Sequence, residues 1–257
     1  MSTTRYMCAI DGQGLQDIDP TIFITDIQET APKIRAQTAS NALYDGLRLT
    51  RMQRQSIAVS VTFAVREYDT ARRKAVAQKA CEWARDGWLT ISDRPGQRLW
   101  VICDKLPVIT SSLKWTDTLT IGFTAYALPY WQEAHPATAV YTGANGSAVV
   151  TPSGNRDCYL EAEIIASGGT VDTLTIAANG RRYMFEGLGL ANGQTLSIGY
   201  SDADHLQYMR IGDASVLSKR TASSDDDLLL HPRRQNTVTI SANAAVRATI
   251  KARGVWR

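Results

Sequence analysis

The stretch TLTIGFTAYALPYW, residues 118–131, decides how this chain divides. It begins as a strict alternation of apolar and polar residues and ends in a Pro-Tyr-Trp corner. Successive side chains of a strand point to opposite faces, so this period predicts a strand with one buried face. That face consists of Leu119, Ile121, Phe123 and Ala125. Because the chain changes character after the corner, we expect two different modules that meet there, with Tyr130 and Trp131 packed where the first module ends.

A second alternating stretch, QSIAVSVTFAVR at residues 55–66, lies earlier in the chain. Its large apolar residues all fall on one face, and small or polar residues occupy the other. The pattern predicts a strand packed on a core through Ile57, Val59, Val61, Phe63 and Val65.

A helical pattern follows at residues 69–87, DTARRKAVAQKACEWARDG. Asp69 or Thr70 is suited to accept hydrogen bonds from the first free amides, as an N-cap does, and Gly87 is suited to end the helix. The spacing of four and then three predicts one apolar face of Val76, Ala80 and Trp83. The basic residues fall mostly on other faces of the helix, and we expect them to form a solvated surface or a subunit contact rather than a nucleic-acid patch. These residues are Arg72, Arg73, Lys74, Lys79 and Arg85.

Two more strands are expected at residues 88–92 and 98–103, on either side of the turn Asp93-Arg94-Pro95-Gly96. The first module is therefore predicted to be an α+β unit, with one helix on a mostly antiparallel sheet. Residues 132–156 are rich in Gly, Ala, Ser, Thr and Pro, which is typical of a connector.

The second module shows short strand patterns separated by turns, with no convincing helix. Asn179-Gly180 is a strong hairpin signal, because both residues accept positive φ. We expect two separate final strands at residues 237–241 and 246–252, joined at Asn243-Ala244. This spacing of strands predicts a β-sandwich. The fold class is thus mainly β, with domains at residues 1–134 and 135–257.

Composition excludes several classes of protein. Hydrophobic residues make up 44% of the chain and charged residues 21%, as in a globular protein, and the net charge is only +3. No apolar run approaches the roughly 20 residues of a membrane span, and the first residues contain no signal-peptide core. We therefore expect folding in a cytoplasm. The cysteines are far apart and form no CxxC pair, which indicates buried free thiols: Cys8, Cys81, Cys103 and Cys158.

No pattern of catalytic or ligand-binding residues emerges. The three histidines, His135, His205 and His231, lie outside any known metal or nucleophile motif. Gly12-Gln13-Gly14 lacks the frame of a phosphate loop, and the acidic residues 225–227 lack the spacing of a calcium loop. We therefore predict no catalytic, cofactor-binding or metal-binding residues, and no enzyme activity. A lectin site would use an aromatic platform, but we expect the tyrosines of the second module to be edge or core residues: Tyr141, Tyr159, Tyr183, Tyr200 and Tyr208.

Taken together, these motifs resemble the distal tail proteins of long-tailed siphophages and related prophages. The family's strand ends in a Phe-x-Ala-x-Asp-Pro-Tyr-Trp-like corner, and residues 123–131 match its Phe, Ala and Pro-Tyr-Trp, with Leu128 in place of Asp. The family's closing segment is matched by Leu230-His231-Pro232, by Asn236 and the strand after it, and by the stretch Arg253-Gly254-Val255-Trp256. Here Arg233-Arg234-Gln235 replaces the usual glycine-containing link. The family's helix and the strand after it are matched by the helix with Trp83 and by Trp88-Leu89-Thr90-Ile91. The resemblance extends over the whole chain.

The resemblance implies a structural role without catalysis. The first module would be a belt-like domain that closes into a hexameric ring, and the second a galectin-like sandwich that points outward. Its partners would be the tail tube protein and a tail-associated lysin or a tail fibre or receptor-binding protein, with DNA passing through the channel without specific binding. The protein would be located at the virion tail tip and assembled in the host bacterial cytoplasm. It would not insert into a membrane and would bind no cofactor. We expect the strands at residues 55–66 or 119–127 to lie at sheet edges and to pair between neighbouring copies, and the basic helix to face acidic residues of the next subunit.

Two alternatives stay open. The first is a carbohydrate-binding adhesion module that recognises a cell-surface glycan. The second is a polysaccharide hydrolase, which the missing catalytic constellation disfavours.

Overall fold

The computed structural model describes residues 6–31, 34–40, 47–54, 56–126, 128–202 and 205–256. The chain forms two compact units, Met1–Tyr130 and Trp131–Arg257. The sequence prediction placed the boundary after residue 134. The predicted mainly β class is confirmed, with antiparallel sheets in both units and one α-helix among the described residues.

The first unit is built around a seven-stranded antiparallel sheet. Its strands lie in the order β2-β1-β7-β8-β9-β6-β3, and β4 and β5 form a separate two-stranded ribbon. In chain order the elements are β1 (Cys8–Ile10), β2 (Gln13–Gly14), a 3-10 turn (Leu15–Asp17), β3 (Ile22–Thr30), β4 (Ile34–Ser40), β5 (Leu47–Arg54), β6 (Ala58–Val65), α1 (Thr70–Trp83), β7 (Gly87–Ile91), β8 (Gln97–Lys105) and β9 (Thr118–Ala125).

The alternation in the sequence correctly predicted the buried faces of β6 and β9. These strands are neighbours in the sheet, with Val61 opposite Ile121 and Phe63 opposite Leu119. All the predicted core residues of both strands are buried, and full burial of each large apolar side chain contributes roughly 1.5–3 kcal/mol. On the opposite face the hydroxyls of Thr62 and Thr120 lie 3.0 Å apart.

The expectation that β6 or β9 lies at a sheet edge is wrong. Strand β6 lies between β9 and β3, and β9 lies between β8 and β6. Both therefore have hydrogen-bonded neighbours on each side. Among the described strands of this sheet, the edges are β2 and β3. A wide apolar face shows that a strand covers a core, but it carries no information about the strand's position in the sheet.

Helix α1 begins as predicted and ends earlier than predicted. The Asp69 carboxylate accepts a hydrogen bond from the Arg72 amide at 2.9 Å, which confirms the N-cap. The predicted apolar face is buried, and the Trp83 ring meets the Phe123 ring edge-on at 6.1 Å. The helix ends at Trp83 because Ala84 adopts an extended conformation. Gly87, the predicted stop, is the first residue of β7.

The second unit is also antiparallel. Its main path of strands is β14-β13-β19-β12-β15-β16-β17; β11 also pairs with β19, and β18 with β12. The elements are β10 (Trp131–Glu133), β11 (Ala137–Val150), β12 (Cys158–Ala166), β13 (Leu174–Ala178), β14 (Arg181–Phe185), β15 (Thr195–Tyr200), β16 (Gln207–Ile211), β17 (Ala214–Ser215), a 3-10 turn (Leu217–Lys219), β18 (Leu229–Leu230), β19 (Asn236–Ala252) and β20 (Val255–Trp256).

Strand β19 replaces the two final strands that the sequence predicted. It runs unbroken for 17 residues and pairs with β13 in its first half and β12 in its second. The Asn243 side chain, which we interpreted as part of a turn, instead holds the neighbouring loop. Its Oδ1 accepts hydrogen bonds from the amides of Asp172 and Thr173 at 2.9 and 3.0 Å. One strand thus links both halves of the sheet.

The prediction that residues 132–156 form a connector is also largely wrong. It contains β10 and the 14-residue β11, which pairs with β19 along nearly its whole length. The small and polar residues of β11 gave no strand period because much of the strand is exposed. Trp131, expected to pack at the end of the first module, is fully buried in β10 of the second unit, opposite Trp256.

The hairpin at Asn179-Gly180 is confirmed. It joins β13 to β14, and the φ angles of Asn179 and Gly180 are 54° and 80°. Two successive positive φ angles define the turn whose twist matches that of paired strands.

Candidate interaction surfaces

The three histidines lie in different settings. His135 is exposed, and His205 stacks on Tyr200 with ring centroids 4.8 Å apart. His231 Nδ1 lies 3.0 Å from Asp157 Oδ1, and both side chains are about half exposed, at 47% and 48%. Within the part of the chain that the structure describes, no group of three or more His, Cys, Asp or Glu residues is placed to hold a metal ion. No described helix is long and apolar enough to cross a membrane.

The cysteines are free, as predicted. Cys8 and Cys158 are buried, and burial raises the pKa of both thiols to about 12. Cys81 and Cys103 are half-buried, and partial burial raises the pKa of each. All four are therefore protonated thiols at neutral pH, a poor state for a nucleophile or a metal ligand.

Arg73 organises a surface of the first unit that the sequence did not reveal. Its side chain is only 5% exposed, although we predicted it on a solvated or subunit-facing side of α1. Its three described hydrogen bonds all end on backbone carbonyls: Nε to Glu67 at 2.7 Å, Nη2 to Tyr68 at 2.8 Å and Nη1 to Leu113 at 2.5 Å. The guanidinium therefore clamps the segment before α1 to the β8–β9 connection.

Two aromatic side chains project from the clamped segments. Tyr68 is 85% exposed and Trp115 is 49% exposed, with ring centroids 6.1 Å apart. We call this pair the aromatic knob. Leu106 and Val108, on the same β8–β9 connection as Trp115, are also exposed. Aromatic residues are enriched in protein interfaces relative to the rest of the protein surface.

A second surface of the first unit is concave and mostly apolar. A cavity of about 370 Å³ opens beside β1 and β7, and we call it the β1–β7 cavity. The amide of Ser92 donates to the carbonyl of Met7 at 2.9 Å, which fixes one side of the cavity. Its lining consists of Met7, Cys8, Ala9, Gln16, Thr90, Ile91, Ser92 and Pro95.

The second unit has a polar cavity of about 460 Å³, lined by Asn155, Arg156, Asp157 and Pro232. The nearby loop at residues 231–235 is held by Asn236, which is 1% exposed. The Asn236 Oδ1 accepts from the His231 amide at 2.8 Å, and its Nδ2 donates to the carbonyls of His231 and Arg234 at 2.9 and 2.8 Å. The cavity is therefore bordered by a well-ordered loop.

The aromatic residues of the second unit pack on each other. Tyr200 contacts both Tyr159 and His205, with ring centroids 4.4 and 4.8 Å away, and the Tyr159 and His205 centroids are 5.4 Å apart. Gln207 Nε2 donates to the hydroxyls of Tyr183 and Tyr200 at 2.7 and 3.0 Å. Burial raises the pKa of both phenols. The three rings therefore form one packed cluster.

The basic residues at the two ends of α1 pair within the first unit. Arg72 lies 3.2 Å from Glu67, and Arg85 lies 3.8 Å from Asp11. Both arginines are more than half exposed, so these are surface pairs of small energetic value.

Comparison with known proteins gives matches in structure but not in sequence. Neither protein-family models nor curated proteins match the chain. The crystal structure of SPP1 Dit, described as a paradigm of the hub adsorption apparatus in phages that infect Gram-positive bacteria, matches with a TM-score of 0.70 and 12% identity. The match covers 96% of this chain and 98% of SPP1 Dit.

Two structures of the phage P2 baseplate in its activated conformation also contain a similar chain. With Ca the TM-score is 0.58 at 7% identity, and with Sr it is 0.57 at 6% identity; each match covers 97% of both chains. At these identities the likeness concerns the fold. The resemblance predicted from short sequence motifs is thus confirmed in three dimensions: over nearly its whole length, the chain has the fold of the SPP1 Dit tail hub protein.

Proposed function

We propose that the chain is a structural protein of a bacteriophage or prophage tail. It forms a hexameric ring at the tail tip and joins the tail tube to the baseplate or the receptor-binding apparatus. The observation that carries this proposal is the match to SPP1 Dit, which extends over both units in the same order. A fragment or a single shared domain would give a weaker argument, because one common fold serves many functions.

The first domain, residues 1–134, is proposed as the belt-like, ring-forming part. The second, residues 135–257, is proposed as the galectin-like part that projects outward. The partners are further copies of the chain, the tail tube protein, and a tail-associated lysin or a tail fibre or receptor-binding protein. DNA passes through the channel without specific binding, for which a net charge of +3 is suitable, because a strongly basic lumen would retain DNA. The protein acts without catalysis.

The test is direct imaging and mass measurement of the purified full chain. We expect closed rings in negative-stain micrographs, with a mass about six times the 28.2 kDa of one chain. The proposed tail tube protein should dock on one side of the ring. A monodisperse monomer at high concentration, with no ring even beside tail proteins, would contradict the proposal.

A second candidate function is glycan binding by the second unit. The polar cavity lined by Asn155, Arg156 and Asp157 favours it, because amide, guanidinium and carboxylate groups suit sugar hydroxyls. A glycan array separates the two functions. Reproducible micromolar binding that is lost in a folded Arg156→Ala variant would support an adhesion module, whereas absence of binding would leave the structural role.

A further inference from the structure

The loop that borders the polar cavity carries two arginines that a purely structural role does not explain. Arg233 and Arg234 follow Pro232, which lines the cavity, and both arginines are exposed. Arg233 has a φ angle of 56°, in the left-handed region that glycine adopts most readily. Any residue with a Cβ carries a conformational cost there. Because glycine would fit this backbone without that cost, the arginine side chain itself needs an explanation.

Backbone hydrogen bonds hold this loop against the segment that precedes the other cavity residues. The Arg233 amide donates to the carbonyl of Pro152 at 2.9 Å. The buried Asn236 side chain binds the backbone of His231 and the carbonyl of Arg234. The backbone positions of both arginines are therefore fixed relative to the cavity.

A third arginine, Arg156, lines the cavity itself and is half-buried. Its backbone pairs with Val255 in an isolated antiparallel bridge. The amide of the preceding residue, Asn155, donates to the Val255 carbonyl at 2.9 Å. Guanidinium groups thus come to one cavity from two well-defined segments of the chain.

The cavity and its bordering loop carry an excess of positive charge. Arg156, Arg233 and Arg234 supply three positive charges against the one negative charge of Asp157, which lies 3.0 Å from His231 Nδ1. This excess attracts an anion.

Two carboxylates on neighbouring strands have partners of their own. Glu161 of β12 lies 3.3 Å from Arg253, and Glu133 of β10 accepts a hydrogen bond from the Gly254 amide at 3.0 Å. With these residues included, four arginines face three carboxylates, so the surroundings of the cavity stay positive.

Phosphate fits this set of groups better than a carboxylate does. Guanidinium binds either anion through two parallel hydrogen bonds, but the two oxygens of a carboxylate are occupied by one such fork, whereas a phosphate group offers three acceptor oxygens. The Asn155 amide and the Asp157 carboxylate, which also line the cavity, can bind hydroxyl groups. A volume of about 460 Å³ is of the size that holds a small ligand.

We propose that the polar cavity binds the phosphate group of a phosphate-bearing polysaccharide, with Arg156 and Arg233 as the guanidinium donors. The inference deepens the second candidate function, glycan binding by the second unit, and rests on it. The groups that bind hydroxyls favour a phosphorylated sugar or polyol over nucleic acid. DNA binding gains its strength from many phosphate contacts along an extended basic surface, and one cavity does not supply them.

The experiment measures binding to the full chain by isothermal titration calorimetry. Its probes are poly(glycerol phosphate), inorganic phosphate, the neutral polysaccharide dextran and duplex DNA. We expect poly(glycerol phosphate) to bind most tightly and inorganic phosphate more weakly, with both affinities falling as salt is added. Dextran should not bind. Equal affinity for inorganic phosphate and the polymer, or DNA binding as tight as polymer binding, would overturn the assignment to a polysaccharide.

Arg233→Gly separates binding from folding. Glycine relieves the positive φ angle and keeps the amide that donates to Pro152, so the midpoint of thermal unfolding should be unchanged or higher. The dissociation constant for poly(glycerol phosphate) should nevertheless rise about 10-fold, because a charge-assisted hydrogen bond is lost. Arg156→Ala should raise it by a similar factor.

Arg247→Ala is the matched control, because it removes the same charge from the same unit. Arg247 is exposed and pairs with Ile165 near one end of β12, whereas Asp157 of the cavity directly precedes the other end. The affinity of this variant should stay within about twofold of the parent value, since exposed charges this far apart are largely screened by salt.

Asp157→Asn distinguishes a phosphate site from a site for neutral sugars. Loss of the carboxylate removes a repulsion and should tighten phosphate binding, whereas a neutral glycan would lose an acceptor for its hydroxyls and bind more weakly. No binding of either phosphate probe, or unchanged affinity in folded Arg156→Ala and Arg233→Gly, would overturn the inference. Binding of dextran without phosphate would overturn it and leave glycan binding standing. Ring imaging reports on the structural role separately, so the failures are distinguishable.

Discussion

The two units use their aromatic residues in opposite ways. In the first unit, the rings of Tyr68 and Trp115 are exposed, and the buried Arg73 donates to the backbone carbonyls of Tyr68 and Leu113. In the second unit, Tyr159, Tyr200 and His205 stack on each other, and Tyr183 is fully buried. Exposed rigid rings serve association, and mutually packed rings serve stability. The difference fits the proposed function, in which the first unit would carry assembly and the second would be a self-contained scaffold.

The largest effect is expected from substitution of Arg73, the buried arginine of the first unit. Arg73→Ala leaves the carbonyls of Glu67, Tyr68 and Leu113 without their partner. We expect a loss of about 3 kcal/mol in the free energy of unfolding, because buried acceptors lose their hydrogen bonds, together with loss of self-association. Urea denaturation measures the first effect and light scattering the second.

Arg72→Ala is the control for Arg73, since Arg72 is adjacent on α1 and forms only an exposed ion pair. It should cost less than about 1 kcal/mol. Equal effects of the two substitutions would show that burial of Arg73 has no special role.

A smaller effect is expected at Asn236, and only in the second unit. Asn236→Ala removes the side chain that holds both the amide and the carbonyl of His231. The expected loss is about 2 kcal/mol in the free energy of unfolding, with ring assembly unchanged. Chemical denaturation together with native mass spectrometry tests this; a loss of rings in a folded variant would contradict the division of roles.

The smallest predicted effect concerns alkaline pH. Burial raises the pKa of three groups in each unit: Cys8, Cys81 and Cys103 in the first, and Cys158, Tyr183 and Tyr200 in the second. A raised pKa means that the folded state favours the neutral form, so its contribution to stability is complete below the unfolded pKa, roughly 8.5 for a thiol and 10 for a phenol. That contribution declines as pH rises above those values.

Each unit contains three of these groups, so both units should lose stability between about pH 9 and 12. Hydrogen exchange at increasing pH, corrected for the intrinsic rate, reports each unit separately. A stability that stays constant in either unit over this pH range would contradict the prediction.

The correct predictions from the sequence depended on patterns that residues close together in the chain determine. The period of β6 and β9, the Asp69 cap and the Asn179-Gly180 turn each need only neighbouring residues to specify them. The sequence did not predict that β19 is continuous, because Asn243 binds a loop that lies about 70 residues away in the chain. Strand β11 lacked a large apolar period because its pairing with β19, rather than burial, keeps it extended.

The interaction surfaces could not be predicted from the sequence for a related reason. Arg73 is one of several basic residues on α1, and only the fold shows that it reaches the carbonyl of Leu113, 40 positions away. The β1–β7 cavity combines residues near position 10 with others near position 90. Such long-range juxtapositions have no local signature.

The most direct test of the division of roles is hydrogen exchange of the full chain in dilute and in assembled form. Assembly should slow exchange of backbone amides in the first unit, above all around the exposed residues Tyr68, Leu106, Val108 and Trp115. Exchange in the second unit should change little. Protection confined to the second unit, or rings that form without protection in the first unit, would contradict the account.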